Sequence, residues 1–581
     1  MKIHGRMALL ICLALFMFSS VFAAVEPAGS DFYDFAAKLR AKYGIGAYRT
    51  SRPWTSSQME AFLRSAQSSG ERMTATEKKT LAGFLKRISG AGRVSLLHAG
   101  TGEYQTGINL SGRLGYVGGE YVAGIKESAD YVIYTSGITA SGTLGKTAEY
   151  FMSFNDETAS GAGALLGSVR SLTYDDGAGG TVTDSRSGLF YFKRAHGYGW
   201  FNFNTERDEA YFDRTDVIFE IKLPFCAVSA GKFSDSWGPA AWDNLMLSEN
   251  ATSFNQIRFV FETGPLTLIS LSGGLRTEEL DPGSGIEVAN GDVKYSYRKK
   301  YLAAHRLEAD LGRLSLGFNE AVVYTDKDLQ LGYMIPMNIY WSEQHYEGDR
   351  DNTVMGMDFS YVPADGIHLY GELFLDDLSL RQLGDYRHTK AAYIIGASVY
   401  PSFAKDVAIR AEYSRVNPFV YTHRFVTDSY THYYTGLGSQ LMPNSDRIKA
   451  AAEWTPLPGL DITLSGSLTR HGDVYVDEDG AFVNTGGDLS YPDIAGDSDD
   501  AADLCFLKGE RSGILSAGIH FRYALRDVFI PPGIPAGLFT VEGGVSRDRV
   551  KYDYPGDGGT PAPDDLAQWG VYFMLGYNYG Y

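Results

Sequence analysis

From about residue 93 onward, apolar and polar side chains alternate with a period of two. Across Leu460-Asp461-Ile462-Thr463-Leu464-Ser465-Gly466-Ser467-Leu468-Thr469 the even positions are apolar or glycine and the odd positions are polar. In Arg306-Leu307-Glu308-Ala309-Asp310-Leu311 one parity is fully charged. Ile257, Phe259 and Phe261 alternate with Arg258, Val260 and Glu262, and Leu369, Leu373 and Leu375 alternate with Tyr370, Glu372 and Asp376. Successive side chains of a strand point to opposite faces. A charged face is not the dry core of a sandwich. It suits a wide barrel, lipid outside and water or a polar plug inside. The last stretch fits the same scheme. Val571, Phe573, Leu575, Tyr577, Tyr579 and Tyr581 share one parity, and Tyr572, Met574, Gly576, Asn578 and Gly580 the other. A greasy edge strand invites aggregation, and a barrel that closes on its last strand has no edge. Taken alone, this strand also fits the end of a soluble sandwich.

Before residue 93 the period is helical. Phe32, Phe35, Ala36, Leu39 and Tyr43 recur on one face and stop at Gly44. Thr55 with Gln58 and Thr74 with Glu77 read as capping boxes, and Trp54 can staple onto Met59. Met59, Phe62, Leu63 and Ala66 form the second buried stripe, and Leu81, Phe84, Leu85 and Ile88 the third. Three short amphipathic helices must pack on each other or on something larger.

Residues 1–23 read as a secretory signal: Lys2 and Arg6, then the apolar run Leu9–Phe18, then Val21-Phe22-Ala23. No later run approaches the roughly 18–20 apolar residues of a spanning helix. The expected organisation is a signal over 1–23, a periplasmic helical segment over 24–92 and a transmembrane antiparallel β-barrel over 93–581. About 490 residues, at roughly 10 per strand plus loops, allow about 16–20 strands. The 67 Gly, 39 Tyr and 32 Phe of the 581 residues suit one large barrel. Long polar stretches, Tyr174–Gly180, Asp473–Asp503 and Asp553–Asp565, read as surface loops; Pro363–Gly366 and Pro456–Gly459 read as short periplasmic turns.

Removing the signal takes away two bases and no acid, so the formal charge of −18 becomes more negative. That surface argues against a nucleic-acid partner. Cys226 and Cys505 lie far apart in sequence, and no Cys/His metal spacing exists. Asp477-Glu478-Asp479-Gly480 lacks the alternating ligands and closing Glu of a calcium loop. It reads as a solvated acidic loop, and no cofactor or metal is expected. Asp376 and Asp377 are neighbours, so without a bulge they face opposite ways and cannot work as a catalytic pair. His305, His423 and His432 have no Gly-x-Ser-x-Gly elbow beside them. No enzymatic activity is expected.

Several segments, taken in order, resemble one family. They are Arg52-Pro53-Trp54-Thr55, then Trp237-Gly238-Pro239 with Leu245-Met246-Leu247-Ser248-Glu249-Asn250-Ala251, then His305-Arg306-Leu307-Glu308 and Asn319-Glu320. Asp351–Asp358, Leu369–Asp377, Ala411–Pro418, Tyr421-Thr422-His423, Tyr430-Thr431-His432 and Gly436-Leu437-Gly438 follow. The set resembles the Wzi family of capsule assembly proteins. Ile335-Pro336 departs from the Asn-Pro often found there. The resemblance implies an outer-membrane barrel of eighteen strands with a small helical bundle at its periplasmic end. It also implies a lectin-like role in holding exported surface polysaccharide. Implied partners are that polysaccharide, outer-membrane lipid or lipopolysaccharide, and the outer-membrane assembly machinery. Flat C–H faces of sugars pack on aromatic rings, and their hydroxyls bond Asp, Asn and Arg. Candidate contacts are therefore Trp237, Trp242, Asn352, Asp358, Glu412, Asn417, Tyr421, His423, Tyr430 and His432. The alternatives for these are an interfacial aromatic girdle and, for Asn352, Asp358, Glu412 and Asn417, a network bracing the lumen. A diffusion porin or substrate-specific channel is the competing function.

Overall fold

The computed structural model describes residues 26–89, 97–99, 104–121, 127–128, 131–145, 147–161, 170–175, 181–186, 200–204, 209–378, 389–404, 406–432, 435–457, 459–477, 480–493, 505–526, 538–553 and 566–579. The signal residues 1–23, Glu478 and Asp479 of the acidic loop, and the loop from 554 to 565 lie outside them.

Eighteen antiparallel strands close into one barrel. In chain order they are β1 Tyr104–Tyr121, β2 Tyr131–Leu144, β3 Ala148–Ser160, β4 Glu209–Lys222, β5 Ala227–Phe233 and β6 Phe254–Thr263. Next come β7 Leu266–Leu280, β8 Tyr297–Asp310, β9 Leu314–Thr325, β10 Asn352–Ala364, β11 Ile367–Leu378 and β12 Thr389–Val399. The last are β13 Val407–Val416, β14 Ser445–Leu457, β15 Leu460–Asp473, β16 Glu510–Arg526, β17 Leu538–Asp553 and β18 Leu566–Tyr579. Each pairs with its neighbour in sequence. The seam is β1 with β18, where Leu110 faces Tyr579 and Gly119 faces Gly570. No helix among the described residues is long and apolar enough to cross a membrane.

The predicted parities hold on the outside. Leu307, Leu464, Leu468, Val571 and Phe573 are exposed, as the lipid-facing side of the wall requires. Inside, Arg306, Glu308, Arg258 and Glu372 are buried. The lumen is not uniformly polar, however. Val260, Ile269, Leu271, Leu302, Val323, Val354, Phe374 and Ile394 belong to a dry cluster within the barrel. They pack with Trp237, Leu245, Leu247, Tyr421, Tyr430 and Leu437 from two loops that fold into the lumen. The wall over β6–β13 is lined by apolar side chains because these loops, not water, cover it.

The helices are α1 Asp31–Tyr43, α2 Ser56–Ser68 and α3 Ala75–Ser89. Gly44 ends α1 in the left-handed conformation, at φ 65°. Both capping boxes form. Thr55 Oγ1 accepts from Gln58 N at 3.3 Å while Gln58 Oε1 accepts from Thr55 N at 2.9 Å. Thr74 and Glu77 exchange the same pair of bonds. Phe32, Trp54, Phe62 and Phe84 meet edge-on in a common core, with Phe32 at 5.2–6.4 Å from the rings around it. This bundle sits at the barrel end that carries the short turns. Gly366 N donates to Ala41 O, and Arg72 pairs with Asp365 at 2.6 Å.

The bundle and the barrel answer to different cores, so they should fail separately. Phe62→Ala should cost about 3–5 kcal/mol of bundle stability. Chymotrypsin should then cut within residues 31–89, while the shift in gel mobility between unheated and boiled protein stays as in the wild type.

Candidate functional site

The first inserted segment joins β5 to β6 and spans residues 234–253. Trp237 N donates to Leu247 O at 2.9 Å, which folds the segment into a closed loop. The link between α1 and α2 meets it: Ser51 pairs with Trp237 and Arg52 with Ser236. The second insertion joins β13 to β14 over residues 417–444 and lies across the first. Ser248 N donates to Leu437 O at 2.9 Å, and Asn250 Nδ2 reaches Gly436 O and Ser439 O.

Inward carboxylates of the wall receive these loops. Glu372 accepts from Leu245 N at 2.7 Å and Ala240 N at 3.2 Å. Glu412 accepts from Ala241 N and from Tyr370 Oη, both at 3.0 Å. Asp358 meets Arg306 at 2.5 and 2.9 Å, and Glu308 accepts from Thr50 N at 2.6 Å and Ser51 Oγ at 2.8 Å. Gly238 sits where a side chain has no room. An added Cβ would stand 2.1 Å from Glu372 Oε1, and its φ of +141° suits glycine alone. The Trp-Gly-Pro signature is thus a seat for a wall carboxylate.

The ten candidate residues divide by burial. Trp237, Tyr421 and Tyr430 are enclosed in the dry cluster. Tyr421 and Tyr430 stack 5.8 Å apart, and their hydroxyls donate to the successive carbonyls of Leu245 and Met246 at 2.7 and 2.8 Å. Asn352 Nδ2 donates to Asp428 O at 3.0 Å. Asp358 and Glu412 are buried in the networks above. His432 is buried, with Nδ1 accepting from Arg276 N at 2.9 Å. Trp242, Asn417 and His423 are half-buried. Lys449 Nζ lies 4.7 Å from the Trp242 ring centre, Asn417 Oδ1 accepts from Arg415 Nε at 2.8 Å, and His423 Nδ1 accepts from Phe425 N at 3.3 Å. The bulge expected to be needed at Asp376 and Asp377 is present, as a register shift after Leu375. Asp376 accepts from Tyr421 N at 2.5 Å.

Burial sets the charge of these loops. It pushes the His432 imidazole down to about 3, helped by Lys300, Lys232 and Arg276. It lowers His423 to about 4, with Lys390 and Arg424 adding to the effect. Asp243, which accepts from Ser439 Oγ and Gln440 N, is raised by burial to about 6 against the pull of Arg447.

The other half of the lumen is different. Ser111, Thr135, Thr463, Ser465, Ser467, Ser516 and Ser546 lie on the inward parity of β1, β2, β15, β16 and β17 and are only half-buried. Arg113 and Arg522 flank Glu542 at 3.6 and 3.3 Å, and both arginines are about half exposed, at 54% and 46%. His520 stacks on Tyr572 at 5.7 Å. Trp242 and Lys449 look toward this open side from the plug and from β14. The sequence signal for this wall was the run of small hydroxyl residues alternating with leucines at 460–469. Its charged cluster comes from three separate strands and had no local signal.

After β15, Asp477 accepts from Ala481 N at 2.8 Å. Among the described residues no cluster of metal-ligating side chains forms. Cys226 is buried, Cys505 is exposed, and both thiols are free.

The family model for capsule assembly protein Wzi matches residues 101–469, which takes in the wall from β1 to β15 and both inserted loops. The chain belongs to the Wzi family of capsule assembly proteins. Its place is the cell outer membrane. Among solved structures it is similar to Wzi of Escherichia coli, an outer-membrane protein involved in group 1 capsule assembly and described as a carbohydrate-binding β-barrel. That match has 12% identity and a TM-score of 0.52, covering 95% of this chain and 99% of the other. A BenF-like porin from Pseudomonas fluorescens matches at 10% identity and a TM-score of 0.40, over 82% of this chain and 99% of the porin. No curated protein sequence matches the chain.

Two measurements probe the seating of the loops. Tyr421→Phe or Tyr430→Phe leaves a buried carbonyl without its donor, at about 1–3 kcal/mol each. The temperature at which the unheated gel band converts should fall accordingly. An unfolded imidazole takes its proton near 6.5; the His432 ring holds out to about 3. Its contribution is complete above pH 6.5 and is lost as the pH falls toward 3, by about 3 kcal/mol between pH 6.5 and 4. The conversion temperature should drop over that interval, and drop less in His432→Asn, which keeps an acceptor for the Arg276 amide.

Proposed function

We propose that this protein holds exported surface polysaccharide at the outer membrane, by binding and without catalysing a reaction. Family membership supports the role in capsule assembly. The observation that carries the binding reading is the half-buried polar wall of the lumen over β15–β17 and β1–β2. Half-buried hydroxyls, the cations Arg113, Arg522 and Lys449, and the aromatic rings of Trp242 and Tyr572 are set on or beside that wall. Sugars are recognised by that combination, with C–H faces on rings and hydroxyls on charged groups. In this reading Trp242, Asn417 and His423 touch the glycan. The buried candidates Trp237, Asn352, Asp358, Glu412, Tyr421, Tyr430 and His432 hold the loops that present it. Lys449, Arg113 and Arg522 favour an acidic polymer. Outer-membrane lipid surrounds the barrel, and the assembly machinery inserts it.

The same open wall also fits a substrate-specific channel. Planar-bilayer recording separates the two. Polysaccharide holding predicts no large, steady single-channel steps; such steps would favour transport.

A strain lacking the protein should release polysaccharide into the medium that the parent strain retains. Restoring the gene with Trp242→Ala should leave retention about tenfold weaker than the wild type, the equivalent of about 1.4 kcal/mol in a ring–sugar contact. Unchanged retention in the deletion strain counts against the proposal.

A further inference from the structure

The connection between β9 and β10 does not cover the mouth of the barrel. It carries two short helices, α4 Leu331–Met334 and α5 Tyr340–Tyr346, and folds down onto the outer wall. Parity decides the side. Leu302, Ala304 and Val323 face the plug, so Ala303, Val322 and Tyr324 point outward. These three are nonetheless fully buried, in a cluster with Tyr333 and Tyr340 of the helices. The docking is firm. Glu320, also on the outward parity, accepts from Tyr340 N at 3.0 Å and Trp341 N at 2.8 Å, and pairs with His305 at 3.1 Å. Tyr333 Oη donates to Asp351 at 2.7 Å.

Between this hairpin and the wall lies a cavity of about 480 Å³, within the roughly 300–1,000 Å³ of ordinary ligand pockets. Leu268, Phe318, Met357 and Leu375 line it from the wall, and Met337 and Ile339 from the hairpin. The wall residues continue the outward apolar parity of the barrel. The hairpin's free face is apolar as well: Met337 is 82% exposed and Ile339 61%, with Leu331, Ile335 and Trp341 exposed beside them. A soluble loop with that face would stand bare in water.

We propose that this cavity binds one acyl chain of an outer-leaflet lipid, with the hairpin lying in the leaflet as its outer clasp. The lining explains the choice of occupant. A peptide segment brings amides that must be satisfied, and this pocket offers almost no polar surface for them. Its polar pair, His305 and Glu320, is already engaged with itself and with α5. An acyl chain needs only apolar contact, and the cavity's walls are continuous with the membrane-facing surface. The chain can enter sideways without leaving hydrocarbon.

The test uses the full-length protein in nanodiscs of phosphatidylethanolamine and lipid A, analysed by native mass spectrometry. The wild type should keep one lipid under activation that strips the others. Leu268→Trp fills the cavity and should lower that retention at least tenfold, while Val571→Trp on the far wall should not. Equal retention in wild type and Leu268→Trp overturns the site, and so does a dimer lost in Leu268→Trp, which would make a second copy the occupant. A second measurement spares the wall. In intact cells, Met337→Cys in a Cys505→Ser background should react at least tenfold more slowly with a water-soluble maleimide than Asn290→Cys in the same background. Equal rates would put the hairpin in water and sink the proposal.

Discussion

Closing a sheet into a barrel turns every second side chain inward, and here several of those side chains are carboxylates. A carboxyl oxygen accepts hydrogen bonds, and burying one without donors is costly. Glu308, Glu372 and Glu412 find their donors in backbone amides of segments that are not part of the wall. Those amides have the converse problem. A loop inside a barrel has no ladder to pair with, so its N–H groups need fixed acceptors. Wall and plug therefore specify one another. Trp237, Leu245 and Leu247 join the apolar cluster of the wall, and the carboxylates decide where the loop sits.

This constraint explains why the family signature is concentrated in residues that touch one another. Trp237 fills the dry cluster, Gly238 gives Glu372 room, and Ser248 and Asn250 tie the first loop to the second. Arg306 joins Asp358 and Glu308 beneath Thr50 and Ser51, in the link between α1 and α2. The motifs scattered along the chain are parts of one axial stack from the helical bundle to the two inserted loops. On one side of it the wall is dry, and on the other the hydroxyls of β1, β2 and β15–β17 are half-buried.

Much of the wall was legible in the chain, and for a simple reason. Period-two alternation is local, so Leu464 and Leu468 announce their face without reference to anything distant. Capping boxes are local too, and both formed as read. The dry half of the lumen was not legible. Ala303-Ala304 and Val322-Val323 are apolar on both parities, which looks like a pattern fading out. It is instead a wall covered on the inside by a plug and on the outside by a hairpin. The candidate sugar contacts were ambiguous for a chemical reason. Rings, hydroxyls and carboxylates that would grip a sugar also grip a backbone, and Tyr421, Tyr430 and Glu412 do so here. Partners such as Tyr421 and Leu245 are far apart in sequence, and only the fold brings them together.

The seam between the first and last strands carries a consequence for how the molecule is made. Leu110 to Gly119 can find Gly570 to Tyr579 only after nearly the entire polypeptide is available, and so large a separation imposes a high entropy of ring formation. Until that zipper engages, the interior remains an open trough. The tryptophan loop has to wait in it, its hydrogen-bonding groups still wet, for the final residues to arrive.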